Sequence, residues 1–253
     1  MFSLEIDCDP DDREMLIAEL WEQGSAGMAE LDSRRLRAFF DDSADQKALQ
    51  RLYPGSTLRR EEQKDWVKSA REMLQPMAVG ERFFLVPEWR DDPAPNGRFR
   101  ITVNPGMAFG TGVHETTRLC MEALEEFCRP QMAVLDVGTG SGILAQAARL
   151  LGASPVFACD TDPVAVEIAG IGFVGSVDAV ASESVDLVVA NISPTAIVQL
   201  ASDLLRVLKP DGILLASGFE IQEVEQVHTA LPVAQDVRQK GTWALTVTTL
   251  SGY

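Results

Sequence analysis

A change of pattern at Val134 constrains the fold of this chain more than any other feature of its sequence. From there on, short apolar runs typical of strands alternate with helical segments, which predicts a mostly parallel β-sheet covered by helices. The predicted strands are 134–137, 156–159, 173–174, 185–190 and 212–217. The segment 235–250 predicts an antiparallel hairpin that turns at Lys240-Gly241. We therefore expect an α/β domain with its ligand at the carboxyl ends of the strands.

The first strand of this sheet runs into a glycine-rich loop, DVGTGSG at 136–142. Glycine lets a backbone approach a ligand closely, and the first turn of the helix that follows offers free N–H groups. A nucleotide-type cofactor site and an ordinary tight turn both fit this pattern.

Two details narrow the type of cofactor. The spacing G-x-G-x-G lacks the third glycine of the dinucleotide fingerprint. Asp136 would repel a pyrophosphate but suits a cofactor with an ammonium group, such as S-adenosylmethionine. Asp160 ends the second strand, where its carboxylate is placed to accept hydrogen bonds from both ribose hydroxyls. NAD sites also carry an acid there, so Asp160 indicates a ribose without identifying the cofactor.

Two further segments carry candidate ligand contacts. The stretch NPGMAFGTGVHETT at 104–117 is either a capped loop before a helix or a lid over the cofactor, with Phe109 packed on it and a threonine hydroxyl at its polar end. Asn191 ends the fourth strand, where it either contacts a ligand or caps the next helix, a role that Ser193 fills equally well.

The N-terminal segment predicts a separate, small α+β unit. Phe2, Leu4 and Ile6 alternate with polar residues as in a strand, and Asp9-Pro10 opens a helix that ends near Gly24. Strands at 28–31 and 36–40, a helix at 43–53 and a strand near 58 follow. This βαββαβ order is that of a ferredoxin-like unit.

The middle of the chain predicts a connection between the two parts. Residues 65–75 have the spacing of a helix, and 83–86 and 99–103 the composition of strands. We therefore divide the chain into a ferredoxin-like domain at 1–62, a linker helix with connecting strands at 63–100, and an α/β domain at 101–253.

Composition excludes several classes of protein. The chain of 253 residues carries 22 Lys+Arg against 38 Asp+Glu, a net charge of −16, so direct nucleic-acid binding is not expected. Two histidines and four scattered cysteines give no multi-histidine metal site and no C-x-x-C pair, so we expect no metal. The acidic N-terminus and the lack of a long apolar run predict a cytoplasmic protein without membrane contact.

Four stretches together carry a specific resemblance: NPGMAFGTGVHETT, VLDVGTGSGILAQAARLLGA, CDTDP and LVVANI. They resemble the PrmA family, bacterial methyltransferases that modify ribosomal protein L11, over about residues 66–253. The resemblance implies a Rossmann-like class I methyltransferase domain, S-adenosylmethionine as cofactor, and an N-terminal ferredoxin-like domain that recognises the substrate.

The resemblance also implies a set of site residues. The cofactor contacts would be Thr117, Gly138, Gly140, Asp160 and Asn191, and Asn191 would also border the acceptor amine as the catalytic residue. The chain departs from the family pattern after Ala169, where glycines follow almost at once. This departure leaves Asp178 as the candidate for the adenine contact.

The expected activity is transfer of methyl groups to lysine side-chain and N-terminal amines of ribosomal protein L11, by a monomer. Methyl transfer to an amine mainly requires positioning, which we assign to Asn191. His114 is either a proton carrier or, as we favour, a residue that orders the lid. Three alternatives stay open: a nicotinamide-dependent oxidoreductase, a methyltransferase with another substrate, and a cofactor-binding protein that has lost activity.

The distribution of charge favours a basic partner. Residues 1–65 carry 16 acidic and 9 basic residues, 66–103 carry 5 and 6, and 104–253 carry 17 and 7. Both larger segments are acidic, so we expect a lysine-rich ribosomal protein to be attracted to them, and the attraction to weaken as salt screens it.

Overall fold

The computed structural model describes residues 2–9, 16–17, 19–20, 23–25, 27–32, 34–60, 75–104 and 114–250. The contacts between residues divide the chain into two compact units, Met1–Leu74 and Gln75–Tyr253. Each unit has its own hydrophobic core.

A four-stranded antiparallel sheet forms the first unit. Its strands are β1 (Phe2–Asp7), β2 (Gly27–Asp32), β3 (Arg35–Phe40) and β4 (Thr57–Arg60), in the order β2-β3-β1-β4. Helix α1 (Gln46–Leu52) precedes β4, and the chain is also helical at 16–17 and 19–20. The four predicted strands and the second helix are thus confirmed. The rest of the first predicted helix lies outside the described residues.

The alternation in β1 explains why this segment forms a strand. Leu4 and Ile6 are buried in the core of the unit. Glu5 points to the opposite face, where it forms ion pairs with Arg37 of β3 and Arg59 of β4. Because successive side chains of a strand point to opposite faces, the sequence separates an apolar face from a charged one.

The second unit begins with a three-stranded sheet, which packs on a helix. Strands β5 (Met77–Val79), β6 (Phe83–Pro87) and β7 (Phe99–Val103) lie in that order, and β5 was not predicted. The carboxylate of Glu125 on helix α2 (Glu115–Phe127) accepts the backbone N–H groups of Glu81 and Arg82, both at 2.8 Å. Apolar side chains of the three strands share one core with α2. The predicted helix at 65–75 falls almost wholly outside the described residues.

A seven-stranded sheet forms the centre of the second unit. Its strands are β8 (Val134–Val137), β9 (Val156–Asp160), β10 (Phe173–Val174), β11 (Val185–Asn191), β12 (Leu208–Glu220), β13 (Asp236–Lys240) and β14 (Trp243–Thr249). The order is β10-β9-β8-β11-β12-β14-β13. The first five of these are parallel, and β14 runs antiparallel to both of its neighbours. The predicted parallel sheet and terminal hairpin are confirmed.

Helices cover both faces of this sheet. The remaining α-helices of the described second unit are α3 (Ile143–Leu150), α4 (Pro163–Ala169), α5 (Pro194–Arg206) and α6 (Val224–His228), and short 3-10 helices lie at Val177–Ala179 and Ile221–Glu223. Side chains of α2 and α3 belong to one core cluster, and those of α5 and α6 to another. The side chain of Ser193 accepts the N–H of Ala196 at 3.3 Å, so Ser193 and not Asn191 caps α5. Across the described ranges, no helix is long and apolar enough to cross a bilayer.

Two glycines allow the short connection between β9 and β10. Gly170 caps α4 with a φ of 63°, and Gly172 has a φ of 98°. A Cβ atom on Gly172 would lie 2.4 Å from the carbonyl oxygen of Ala158 in β9. The chain therefore returns directly against β9 after α4.

We expect Gly172→Ala to lower the free energy of unfolding of the second unit by about 3–4 kcal/mol, because it adds a clash to left-handed strain. Gly170→Ala is the matched control. A Cβ atom there meets nothing within 4 Å, so only the left-handed strain of about 1–2 kcal/mol should appear. Urea unfolding of both variants measures the difference, and equal losses would contradict the close approach.

Candidate functional site

A cavity of about 520 Å³ lies at the carboxyl edge of the seven-stranded sheet. The ends of β8, β9 and β11 line it, together with the segment after β10 and the first residues of α2, α3 and β14. The strand order reverses between β8 and β11 at this edge, which is where open α/β sheets bind their ligands. The cavity thus lies where the sequence predicted a ligand.

The five predicted cofactor contacts all line this cavity. They are Thr117, Gly138, Gly140, Asp160 and Asn191. They come from the start of α2, the loop after β8, and the ends of β9 and β11. The fold therefore brings together residues that are up to 74 positions apart in the chain.

The glycine loop is held against the two neighbouring strands. The N–H of Gly138 donates to the carbonyl oxygen of Cys159 at 2.9 Å. A Cβ atom on Gly138, which has a φ of 70°, would lie 2.3 Å from Cγ2 of Ile192. Gly142 then starts α3 in the left-handed region, with a φ of 78°. A side chain at position 138 would therefore push the loop away from β11.

Asp160 joins the glycine loop to the end of β9. Its Oδ2 accepts the N–H of Gly140 at 2.9 Å, and its Oδ1 accepts the N–H of Asp162 at 3.0 Å. Each oxygen retains lone-pair capacity, as the predicted ribose contact requires. Asp160 supplies the only carboxylate in the described wall of the cavity.

Asp136, the acid that favoured a cofactor with an ammonium group over a pyrophosphate, does not line the cavity. It is fully buried beneath the loop, where its Oδ2 accepts the hydroxyl of Thr139 at 2.7 Å and the N–H of Ala145 at 3.1 Å. Burial raises the pKa of Asp136 to about 6, although both hydrogen bonds oppose the shift. The nearby charge of Asp160 adds to the increase. Asp136 therefore braces the loop from below.

His114 caps α2 and also lines the cavity. Its Nδ1 lies 2.8 Å from the hydroxyl oxygen of Thr116 and accepts the N–H of the same residue at 3.4 Å. The neutral ring therefore carries its proton on Nε2 and offers no lone pair there. These contacts favour the ordering role over the proton carrier. Residues 105–113, with Phe109, which the sequence predicted as either a lid or a capped loop, lie outside the described residues.

Asn191 lies at the end of β11, with its side-chain amide in the cavity wall. Its Nδ2 is 3.5 Å from the hydroxyl oxygen of Thr117, a long hydrogen bond across the cavity. An amide held this loosely keeps donor and acceptor capacity for a ligand.

Sequence reasoning missed part of the wall. Trp243, at the start of β14, has its ring edge-to-face with that of His114, with centroids 4.6 Å apart. The hairpin was predicted, but its pairing beside β12, which brings Trp243 to the cavity, has no local sequence signal. Gly175 and Ser176 line the end near β10. Asp178 is exposed and does not line the cavity, so the structure does not support it as the adenine contact.

No group of three or more histidine, cysteine, aspartate or glutamate side chains within the described ranges is arranged to hold a metal ion. Cys159 also lines the cavity, and its side chain belongs to a buried core cluster. Burial raises its pKa to about 12, so the thiol stays protonated and is a poor nucleophile.

Comparison with known proteins identifies relatives of the whole second unit. Residues 38–249 match the family model "Ribosomal protein L11 methyltransferase (PrmA)". A ribosomal protein L11 methyltransferase of Symbiobacterium thermophilum is 40% identical over 89% of this chain and 76% of its own length. Another, of Paraburkholderia phytofirmans, is 41% identical over 70% of this chain and 62% of its own length.

A solved structure shows the same relationship in three dimensions. The ribosomal protein L11 methylase of Lactobacillus delbrueckii subsp. bulgaricus superposes with a TM-score of 0.62 at 30% identity, over 70% of this chain and 99% of that one. The match to the family model covers both the α/β sheet and the loops that form the cavity. The chain therefore belongs to the ribosomal protein L11 methyltransferase (PrmA) family.

Proposed function

We propose that this protein transfers methyl groups from S-adenosylmethionine to lysine side-chain and N-terminal amines of ribosomal protein L11. The observation that carries the proposal is the meeting of five predicted contact residues, from three strand ends and a helix, in one cavity. Membership of the family supplies the type of reaction and the substrate. A nicotinamide-dependent oxidoreductase is thereby set aside.

The residues of the cavity fit this cofactor. The loop at Gly138 allows close backbone approach, and the Asp160 carboxylate has lone pairs for ribose hydroxyls. When bound, the cofactor supplies a sulfonium that already activates the methyl group. The protein therefore needs neither a metal nor a strong acid, and its task is to hold donor and acceptor in line.

Asn191 is the residue that we assign to the acceptor amine. Free lysine has a pKa of about 10.4, and its ammonium form lacks the lone pair that the reaction needs. A partly desolvated cavity favours the neutral amine. The Asn191 oxygen then accepts an N–H of that amine and directs its lone pair toward the methyl group.

The first unit is proposed as the substrate-recognition domain. Its sheet order β2-β3-β1-β4, with every neighbouring pair antiparallel, supports a ferredoxin-like domain at about residues 1–62. The predicted connection at 63–100 divides at Gln75, where the compact second unit begins, so we propose 75–253 and not 101–253 as the methyltransferase domain. Strands β5 to β7 of that connection pack in the core of the second unit.

The proposed partner explains the charge of the chain. A net charge of −16 favours a basic ribosomal protein, with no direct contact to nucleic acid or membrane needed. A ribosomal substrate places the reaction in the cytoplasm, and we propose that a monomer performs it.

Incubation of the protein with S-adenosylmethionine and ribosomal protein L11 should add whole methyl groups to lysines or to the N-terminal amine, read by mass spectrometry of proteolytic fragments. A cofactor-bound protein that adds none would favour loss of activity, and methylation of other proteins in preference to L11 would favour another substrate.

We expect Asp160→Asn to weaken S-adenosylmethionine binding by roughly 10- to 100-fold, because the charged partner of the ribose hydroxyls is lost. Asp162→Asn makes the same change of charge two positions away, where the side chain only caps α4 by accepting the N–H of Val164 at 2.8 Å. Asparagine caps helices as well as aspartate does, so this control should bind normally in calorimetry. Equal affinities for both variants would exclude the ribose contact.

Asn191→Ala should slow methylation of L11 by about 100-fold, since a misplaced acceptor loses that much. Ser193→Ala is the control, because Ser193 lines the same cavity but caps α5. It should retain the methylation rate and lose about 1 kcal/mol of stability. Full activity of Asn191→Ala at saturating cofactor would refute the positioning role.

A further inference from the structure

A single buried carboxyl group lies directly beneath the proposed cofactor loop and is not used by the reaction described above. Oδ2 of Asp136 accepts two hydrogen bonds, from the hydroxyl of Thr139 and the N–H of Ala145. Oδ1 is fully buried and has no hydrogen-bond partner among the described residues. Oδ2 thus stabilises the loop by hydrogen bonds, whereas Oδ1 makes none to the described residues.

Because Oδ1 has no hydrogen-bond partner among the described residues, it is the oxygen that can take up a proton without breaking an existing hydrogen bond. A proton on Oδ1 leaves both hydrogen bonds to Oδ2 in place, so the loop keeps its shape in either state. The two states of Asp136 therefore differ in one buried negative charge and little else. Charges in the interior of a protein act over longer distances than charges in water, because screening is weaker there.

In the part of the chain that the structure describes, no cationic side chain interacts with Asp136. The titratable groups that face it are Cys120 of α2, and Cys159 and Asp160 of β9. Burial raises the pKa of both thiols, so both stay neutral. Two uncharged residues also neighbour Asp136. Val189 of β11 pairs with it in the sheet, and the N–H of Ala145 on α3 donates to its carboxylate. A positive charge that enters the cavity above the loop is thus an available partner.

We propose that Asp136 discriminates the methyl donor from its demethylated product, by favouring the sulfonium cation when the carboxyl is ionised and losing this preference when it is protonated. The inference rests on the proposed function. The donor and the product, S-adenosylhomocysteine, share the ammonium, carboxylate, ribose and adenine groups. They differ in the sulfonium charge and the methyl group, so a charge beneath the loop acts on this difference.

The sign of the pH effect follows from the direction of the shift. Burial raises the pKa of Asp136 to about 6, so the carboxyl is neutral in mild acid and ionised in mild base. Preference for the donor should therefore grow as pH rises. By reciprocity, binding of the donor should favour the ionised form and release a proton.

The dissociation constants of donor and product, measured by calorimetry at about pH 5 and about pH 8, test this proposal. We expect the ratio of product to donor constants to be about tenfold larger at the higher pH. Asp136→Asn keeps an oxygen for Thr139 and Ala145 but cannot ionise, so its ratio should be the same at both pH values. A pH-dependent ratio in this variant would overturn the proposal.

His114 also lines the cavity and carries a titratable side chain, so it needs its own control. His114→Asn replaces the helix cap with another good cap. This variant should keep the pH dependence of the ratio. Loss of the dependence in His114→Asn would assign the effect to the histidine and overturn the role of Asp136.

A measurement on the unmodified protein covers the case in which Asp136→Asn does not fold. Calorimetry near pH 6 in two buffers of different ionisation enthalpy counts the protons released on binding. The donor should release more protons than the product, and equal release would overturn the proposal. Failure of both ligands to bind a folded protein would refute the proposed function itself. Normal binding with the same ratio of product to donor dissociation constants at both pH values would refute only the role of Asp136 in discriminating donor from product.

Discussion

The site depends on one close approach, that of the glycine loop to the ends of β9 and β11. Gly138 lies where any Cβ atom would meet Ile192, and its N–H bonds to the carbonyl oxygen of Cys159. Asp160 then holds the next glycine of the loop through its N–H. A cofactor cavity exists at this edge because the loop touches both neighbouring strands.

Two carboxyl groups hold this loop in different dielectric environments. Asp160 lines the cavity and keeps lone pairs for a ligand, whereas Asp136 is buried below the loop and has one oxygen without a hydrogen-bond partner among the described residues. The same residue type thus supplies a proposed ligand contact in one case and a buried, titratable charge in the other. Burial accounts for the titratable character of Asp136, because it raises the pKa of this carboxyl group although the hydrogen bonds to it act in the opposite direction.

Much of the fold was predictable from local patterns. The strand–helix alternation after Val134 predicted the parallel strands, and the run of small residues at 136–142 predicted the loop, because each depends on neighbours in sequence. The short strand β5 was missed since three residues carry too little periodicity. The burial of Asp136 was not predictable for a different reason: sequence position says nothing about which side of a loop a carboxylate takes.

The sequence alone determined the succession of strands and helices along the chain after Val134. It also determined the glycine loop, the acid at the end of β9 and the resemblance to the family. The tertiary structure decided how these residues come to share one cavity, added Trp243 to its wall, and left Asp136 and Asp178 out of the described wall. Thr117, Asn191 and Trp243 meet there because parallel strands end at one edge and the terminal hairpin inserts β14 beside β12. Such contacts arise from sheet pairing between distant segments, which leaves no periodic signal in any one of them.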